Sequence, residues 1–158
     1  MDTLTLVITA KQYPLAELAP DDRALFDAAT ATARTAYAPY SHFRVGVALR
    51  LASGALVTGS NQENAAYPSG ICAERNALFA AGTAHPDTSV STLVLTALAP
   101  DGSTVPAISP CGACRQVIME TESRHGRPIR ILLCGADGVL EFPSAHSLLP
   151  FWTQPPLN

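Results

Sequence analysis

The sequence has little positive charge and few aromatic side chains. Lys and Arg together number 10 among 158 residues, the formal net charge is −3, and Phe, Trp and Tyr make up 6%. Proteins that bind nucleic acid need a basic surface for the phosphates, and single-strand binders also need aromatic stacking platforms. We therefore expect no nucleic-acid partner.

Long apolar runs are lacking, and cysteine is scarce. No run approaches the roughly 20 residues that span a bilayer, and the first residues do not have the basic-then-apolar layout of a secretory leader. We expect no membrane partner and a cytoplasmic location. The four cysteines suggest metal binding more than disulfides in such a chain. One of them, Cys134, lies in an apolar run and is interpreted as a buried strand residue.

The composition and length of the sequence indicate one globular domain. The sequence is 47% hydrophobic and 15% charged, and its length suits a single domain with a hydrophobic core. We expect this domain to cover residues 1–158. Residues 1–19 have the weakest pattern, because residues 4–8 alternate only slightly, which fits either an extended N-terminal arm or an added strand.

The hydrophobic pattern predicts a helix, a hairpin, a helix, a strand, a helix, two strands and a short helix. An Asp of the Pro20-Asp21-Asp22 segment is predicted to cap the first helix, and Gly82 to stop the second. This order fits an α/β fold, a three-layer α/β/α sandwich with a mixed sheet of about five strands. The predicted strands cover residues 43–51, 55–59, 90–99, 129–134 and 139–142, and the predicted main helices begin at Pro20, Cys72 and Cys111.

Two cysteine motifs stand out. Cys111 and Cys114 have the Cys-x₂-Cys spacing that directs two sulfurs at one ion, and Cys72 supplies a third thiol. Three protein ligands leave one zinc position open for water, as in a catalytic site. Glu74 lies two positions after Cys72, so both reach one centre only if Cys72 faces the ion from a helix start. Glu74 is then a proton carrier beside the metal and not a ligand.

Electrostatics favour thiolates at the start of a helix. A helix N-terminus favours negative charge, and three thiolates around Zn²⁺ leave a net charge of −1, which makes bound water less acidic. Arg75, beside the metal ligands, is a candidate for withdrawing charge from the sulfurs. Cys-x₂-Cys alone is more often a structural zinc knuckle or a redox pair. The added Cys72-x-Glu74 pattern favours catalysis.

Cys72-Ala73-Glu74 followed by Pro110-Cys111-Gly112-Ala113-Cys114 resembles the zinc-dependent deaminases of nucleobases and nucleosides. With Cys in the first position, residues 36–151 are similar to the small homotetrameric cytidine deaminases. The resemblance implies one Zn²⁺ per chain and a cytidine deaminase-like α/β/α fold. It also implies hydrolytic deamination of cytidine and deoxycytidine in pyrimidine salvage, by a homotetramer that shares sites between subunits.

The same resemblance implies roles for further residues. Phe43 flanks the pyrimidine ring, although a strand aromatic is also an ordinary core residue. Asn61 and Glu63 grip the ribose hydroxyls, although a polar loop is commonly only solvated. Gln62 stands where the family usually has an aliphatic residue. The backbone of Ala73 and Ser109 orients the ring edge, and Tyr67 serves either its own site or that of a neighbouring subunit.

The C-terminal segment departs from the family pattern. Many relatives follow Leu-Leu-Pro with two small residues and a Phe that stacks in the next subunit's site. Here Phe151 and Trp152 follow Pro150, and Thr153 takes the usual Phe position. Phe151 or Trp152 replaces that aromatic contact, or the contact is lost.

Alternative functions remain open at this point. A deaminase of a related aminopyrimidine, of the blasticidin-S type, shares the zinc motif and the Ser-Pro-Cys-Gly segment, but the Phe43 and Asn61–Glu63 segments favour cytidine. A polynucleotide deaminase needs a basic channel that the charge disfavours. A non-catalytic zinc-binding interaction module explains the cysteines but not Glu74.

Overall fold

A six-stranded mixed sheet forms the middle layer of the protein. The computed structural model describes residues 1–153, and the strand order is β1-β6-β5-β4-β2-β3. Neighbours β4 and β5 are parallel because a helix crosses between them, and the other pairs are antiparallel. The strands are β1 Lys11–Tyr13, β2 Arg44–Leu51, β3 Leu56–Ser60, β4 Val90–Leu98, β5 Arg130–Gly135 and β6 Gly138–Phe142.

Three main helices, α1 Pro20–Ala33, α2 Ala73–Ala84 and α3 Gly112–His125, cover the two faces of the sheet. Side chains alternate along β4, so Leu93 and Leu95 face the core shared with α2 and α3. Val94 faces the smaller core shared with α1. The predicted α/β/α sandwich is confirmed, and short 3₁₀ helices lie at Leu15–Glu17, Tyr67–Ser69 and Ala145–Ser147. None of the helices within residues 1–153 combines the length and hydropathy of a membrane span.

The number of strands differs from the prediction of about five, because the N-terminal segment adds a sixth. The added strand is β1, antiparallel to β6, whereas residues 4–8, the predicted place for one, form no strand. Polar contacts fix β1 in this position. The Tyr13 hydroxyl donates to the Glu141 carboxylate at 2.7 Å, and the Lys11 ammonium lies 3.3 Å from it.

Arg130 connects this edge to α1. Its guanidinium donates two 2.8 Å hydrogen bonds to the Asp22 carboxylate and one of 2.9 Å to Glu141. Both carboxylates are buried. A bidentate guanidinium–carboxylate pair of this kind holds its partners in a fixed orientation. The network therefore joins β1, β5, β6 and α1 across long stretches of sequence.

Acid is expected to weaken this network. The Arg130 guanidinium, aided by Tyr13 and Lys11, lowers the pKa of Glu141 from 4.5 to about 2. A lowered folded-state pKa stabilises the fold above about pH 4.5, and this contribution is lost as the pH falls toward 2. Between about pH 6 and pH 3 we expect the wild type to lose about 1–2 kcal/mol more unfolding free energy than Glu141→Gln, allowing for solvent screening. Urea unfolding of both proteins with a chelator present measures this, and parallel acid slopes would contradict it.

One predicted helix cap and one predicted helix end are wrong. Helix α1 begins at Pro20 as predicted, but its N-cap is Ala19, which has no capping side chain. Asp21 and Asp22 lie in its first turn, and Asp22 pairs with Arg130. Gly82 does not stop α2, which continues to Ala84. It sits inside the helix without a positive φ, so its presence signals no left-handed cap.

Gly59 of β3 lets α2 approach the sheet closely. A Cβ at this position would lie 2.5 Å from the Ala77 nitrogen and 2.8 Å from the Ala73 carbonyl oxygen, both backbone atoms of α2. We expect Gly59→Ala to lower the unfolding free energy by about 3 kcal/mol, because the helix must move. Gly82→Ala is the matched control. Its Cβ meets only the flexible Arg124 side chain at 3.7 Å, so this change should stabilise by about 0.5–1 kcal/mol. Equal urea midpoints for the two variants would disprove the close-packing argument.

Candidate metal centre and active site

Two helix N-termini meet above the core that α2 and α3 share. Cys72 is the N-cap of α2 and Cys111 the N-cap of α3, both with extended backbone. The Cys111 sulfur accepts a hydrogen bond from the Cys114 N–H at 3.4 Å. Cys72 thus lies at the helix start that the Cys72–Glu74 spacing predicts, and both helix dipoles favour negative charge here.

Three sulfurs form a compact cluster. The Sγ atoms of Cys72, Cys111 and Cys114 all lie within 4.8 Å of one another, and those of Cys72 and Cys111 are 3.9 Å apart. Tetrahedral zinc with Zn–S bonds of about 2.3 Å places two sulfurs about 3.8 Å apart. Soft thiolates in this arrangement suit zinc. Within residues 1–153 the cluster has these three members, which leaves a fourth coordination position open.

Hydrogen bonds among the thiols shift their pKa values in opposite directions. A hydrogen bond from the Cys114 thiol, followed by the Arg75 guanidinium, lowers the pKa of Cys72 to about 5. The same thiol–thiolate hydrogen bond and burial raise the pKa of Cys114. An Nη2 atom of Arg75 lies 3.9 Å from the Cys72 sulfur. Arg75 therefore lies where it can draw negative charge from a ligand, as its sequence position suggests.

Glu74 is buried beside the cluster. Only 4% of the residue is exposed. Burial, and then the negative charge of Cys72, raise the pKa of its carboxyl above the ordinary value. A carboxyl with a raised pKa holds a proton more readily, which suits a group that carries a proton between two partners.

A cavity of about 420 Å³ opens over this centre. It brings together the sequence-predicted residues from the β2 start, the β3–α2 connection, the two helix starts and the loop before α3. Cys114 lies beneath it, fully buried. The predicted residues that line the cavity are Phe43, Asn61, Glu63, Tyr67, Cys72, Ala73, Glu74, Arg75, Ser109 and Cys111.

Asn61 and Glu63 hold backbone at the cavity wall. The Asn61 amide accepts from the Val45 N–H at 2.8 Å and donates to the Phe43 carbonyl at 2.9 Å. The Glu63 carboxylate accepts the N–H of Tyr40 at 2.9 Å and that of Ser41 at 3.3 Å. Both side chains therefore fix the approach to β2 as well as facing the cavity.

The Ser41 hydroxyl also bonds Glu63. Ser41 is not among the residues predicted from the sequence, and its position two residues before Phe43 is the one local signal for it. Gln62 donates its amide to the Ser60 hydroxyl at 3.1 Å, and its backbone pairs with that of Ile71. Gln62, which replaces the family's usual aliphatic residue, therefore has a hydrogen-bond partner within the chain.

Tyr67 and the two C-terminal aromatics differ in their surroundings. Tyr67 is 78% exposed, and its ring is 6.2 Å from that of Tyr40 at the cavity side. Trp152 packs against the core that the sheet forms with α2 and α3, and its ring makes an edge contact with the His146 ring. Phe151 is 69% exposed. Trp152 is therefore engaged within its own chain, whereas Phe151 is free to reach outward.

Fold and site together define a class of protein: an α/β/α domain with a three-cysteine zinc centre at two helix starts and a buried glutamate beside it. The sequence profile described as cytidine and deoxycytidylate deaminase zinc-binding region matches residues 19–126. The chain belongs to this deaminase family.

Individual relatives agree with this assignment. Cytidine deaminase of Sporosarcina psychrophila is 47% identical over 115 residues, which cover 73% of this chain and 78% of that protein. The match to cytidine deaminase of Halalkalibacterium halodurans is 45% identical and spans 60% of that protein's length. A crystal structure of cytidine deaminase from Burkholderia pseudomallei superposes with a TM-score of 0.71 and 38% identity, covering 83% of this chain and 98% of that one.

Proposed function

We propose that this chain hydrolyses cytidine, and also 2′-deoxycytidine, to the corresponding uridine and ammonia. The observation that carries the proposal is the buried carboxyl of Glu74 beside three clustered sulfurs, under a cavity of about 420 Å³. The similarity to named cytidine deaminases supports the same substrate. We assign this reaction to pyrimidine salvage, and the protein to the cytoplasm, as part of the same proposal.

Cys72, Cys111 and Cys114 hold the metal in this proposal. Zinc bound there supplies a Lewis acid that lowers the pKa of water at the open position. Glu74 is the catalytic acid and base. Its carboxylate takes a proton from the attacking water and passes it to N3 of the pyrimidine ring. It then takes the proton of the hydroxyl formed on C4 and gives it to the amino group, which leaves C4 as ammonia while the C4–O bond becomes the carbonyl. Water and cytidine thus become uridine and ammonia, and Glu74 ends in its starting state.

The cavity wall orients the nucleoside. Phe43 packs against the pyrimidine ring, while the Ala73 N–H and the Ser109 carbonyl hydrogen-bond its polar edge. Asn61 and Glu63 bind the ribose hydroxyls. Each of these residues lines the cavity, so a single bound nucleoside can meet all of them. Holding the ring against the reacting water lowers the entropic barrier.

The assembly belongs to the same proposal. We propose one domain over residues 1–158, assembled as a homotetramer in which Tyr67 or Phe151 reaches a neighbouring site. The high exposure of both rings in a single chain supports this. Light scattering of the purified protein gives the assembly mass directly, and a monomeric mass with full activity would contradict shared sites.

The test of function is the ultraviolet absorbance of cytidine mixed with the purified protein, with and without a strong chelator, together with zinc analysis. We expect cytidine absorbance to fall with about one zinc per chain, and the chelator to stop the reaction. Zinc without turnover of cytidine would direct the assay to other aminopyrimidines. Zinc without turnover of any aminopyrimidine or aminopurine would favour the interaction module.

A further inference from the structure

One hydroxyl connects two walls of the cavity. The Ser41 Oγ donates to Oε1 of Glu63 and accepts the N–H of Phe43 at 3.0 Å. The backbone N–H of Ser41 also donates to Oε2 of Glu63. Ser41 therefore contacts both Glu63, which is proposed to bind the sugar, and Phe43, which is proposed to pack on the base.

The direction of these hydrogen bonds is set by the groups themselves. An ionised carboxylate only accepts, and a backbone N–H only donates, so the hydroxyl must donate to Glu63 and accept from Phe43. The hydroxyl bond is the largest cause that lowers the pKa of Glu63 below its usual range, ahead of the backbone N–H groups. Glu63 is therefore held ionised, which suits an acceptor of ligand hydroxyls.

The carboxylate is also left with room for a ligand. Two oxygens offer about four acceptor sites, and the chain fills three, from the Ser41 hydroxyl and the N–H groups of Tyr40 and Ser41. Both N–H groups bond Oε2, and among residues 1–153 the hydroxyl is the only partner of Oε1. The hydroxyl thus fixes the rotation of a carboxylate that lines the cavity and keeps one acceptor site.

The turn that supplies Ser41 is itself constrained. His42, the next residue, has a φ of 56°, a left-handed conformation that a non-glycine residue adopts only when its surroundings fix it. Asn61 holds the following strand start from the other side through Phe43 and Val45. Ser41 therefore lies between a fixed turn at His42 and Glu63, and its hydroxyl holds the carboxylate in a fixed position relative to that turn.

We infer that Ser41 is a positioning residue that orients the Glu63 carboxylate for the sugar hydroxyls of the substrate. This inference rests on the proposed function and adds a determinant of sugar recognition to it. Ser41 acts through Glu63 and leaves the proton transfers at Glu74 untouched. Its loss should therefore weaken binding of hydroxyl-bearing nucleosides while the chemical step continues.

The test compares ligands with and without sugar hydroxyls. In Ser41→Ala we expect the KM of cytidine and the inhibition constant of uridine to rise about five- to thirtyfold, the range for one hydrogen bond to a charged group at a partly exposed site. The kcat should stay within about threefold. The inhibition constant of 2′,3′-dideoxyuridine should stay within about twofold, because this nucleoside has no 2′ or 3′ hydroxyl that could donate a hydrogen bond to Glu63.

Three further variants separate positioning from general damage. Ser41→Thr keeps the hydroxyl and should restore near wild-type KM. Ser103→Ala removes an equivalent turn hydroxyl, one that bonds Asp101 at 2.6 Å outside the cavity, and should change no constant. In a Glu63→Gln background, Ser41→Ala should add little, because two residues that act as a unit are not additive.

The outcomes distinguish this inference from the function beneath it. A wild type that converts no cytidine would contradict both. A wild type that does, with Ser41→Ala weakening uridine and dideoxyuridine equally or neither, would overturn the role of Ser41 alone. Failure of Ser41→Thr to restore KM would also overturn it, because the hydroxyl would then not be the operative group.

Discussion

Glu74→Gln is expected to bind zinc as the wild type does and to lose about a thousandfold in kcat. Glutamine has the size of glutamate but cannot carry a proton, and general acid–base catalysis of this kind contributes about 10²–10⁴-fold. The side chain is buried and is not a member of the sulfur cluster. The metal ligands should therefore be undisturbed, and the loss should fall on turnover.

The measurement is a set of three: kcat with cytidine, zinc per chain, and the inhibition constant of uridine. Only the first should change greatly. Glu122→Gln is a matched control, since Glu122 is another buried helix glutamate and accepts the N–H groups of Ile129 and Ala145, each at 2.9 Å. It should cost about 1–2 kcal/mol of stability and leave kcat near wild type. A Glu74→Gln enzyme within tenfold of wild type would refute the proton-transfer role.

The site was predictable from sequence where its chemistry is local. Cys72 and Glu74 are two residues apart, so helix geometry alone required Cys72 to lie at a helix start, and it is the N-cap of α2. The near-continuous apolar character of residues 90–99 likewise predicts a central strand covered on both faces. In the structure the buried side chains of β4 are divided between two cores.

Long-range contacts explain most of what sequence missed. The strand β1 is three residues long and mostly exposed, so it has no hydrophobic period to detect. Its position depends on Glu141, 130 residues from Lys11. The pairing of Asp22 with Arg130, 108 residues away, is a second contact of this kind.

The role of Ser41 was missed for the same physical reason at shorter range. Its partner Glu63 is 22 residues away, across the β2–β3 hairpin, and no local pattern marks a hydroxyl that will meet a carboxylate. The C-terminal aromatics are a further example. Phe151 and Trp152 are adjacent in sequence, yet only packing of Trp152 against its own core separates their roles.

Cys111→Ser should remove the metal while leaving the fold in place. Serine is a favoured N-cap, so its hydroxyl can replace the sulfur that accepts the Cys114 N–H and begins α3. It does not supply a thiolate, and the two remaining sulfurs are a poor zinc site. We expect zinc affinity to fall more than about a hundredfold, beyond the usual loss for an outer-shell change, and activity with it.

Metal analysis and thermal unfolding with and without a chelator measure this loss. Because a ligand that binds only the folded state stabilises it, the chelator should lower the Tm of the wild type and have little effect on Cys111→Ser. Cys134→Ala is the control, since Cys134 is buried in β5 against α1 and distant from the cluster in the fold. It should cost about 1 kcal/mol of core packing and keep its zinc. A Cys111→Ser protein that retains the zinc content of the wild type would show that Cys111 is not a ligand. It would also refute the hypothesis that the three sulfurs form a catalytic zinc site.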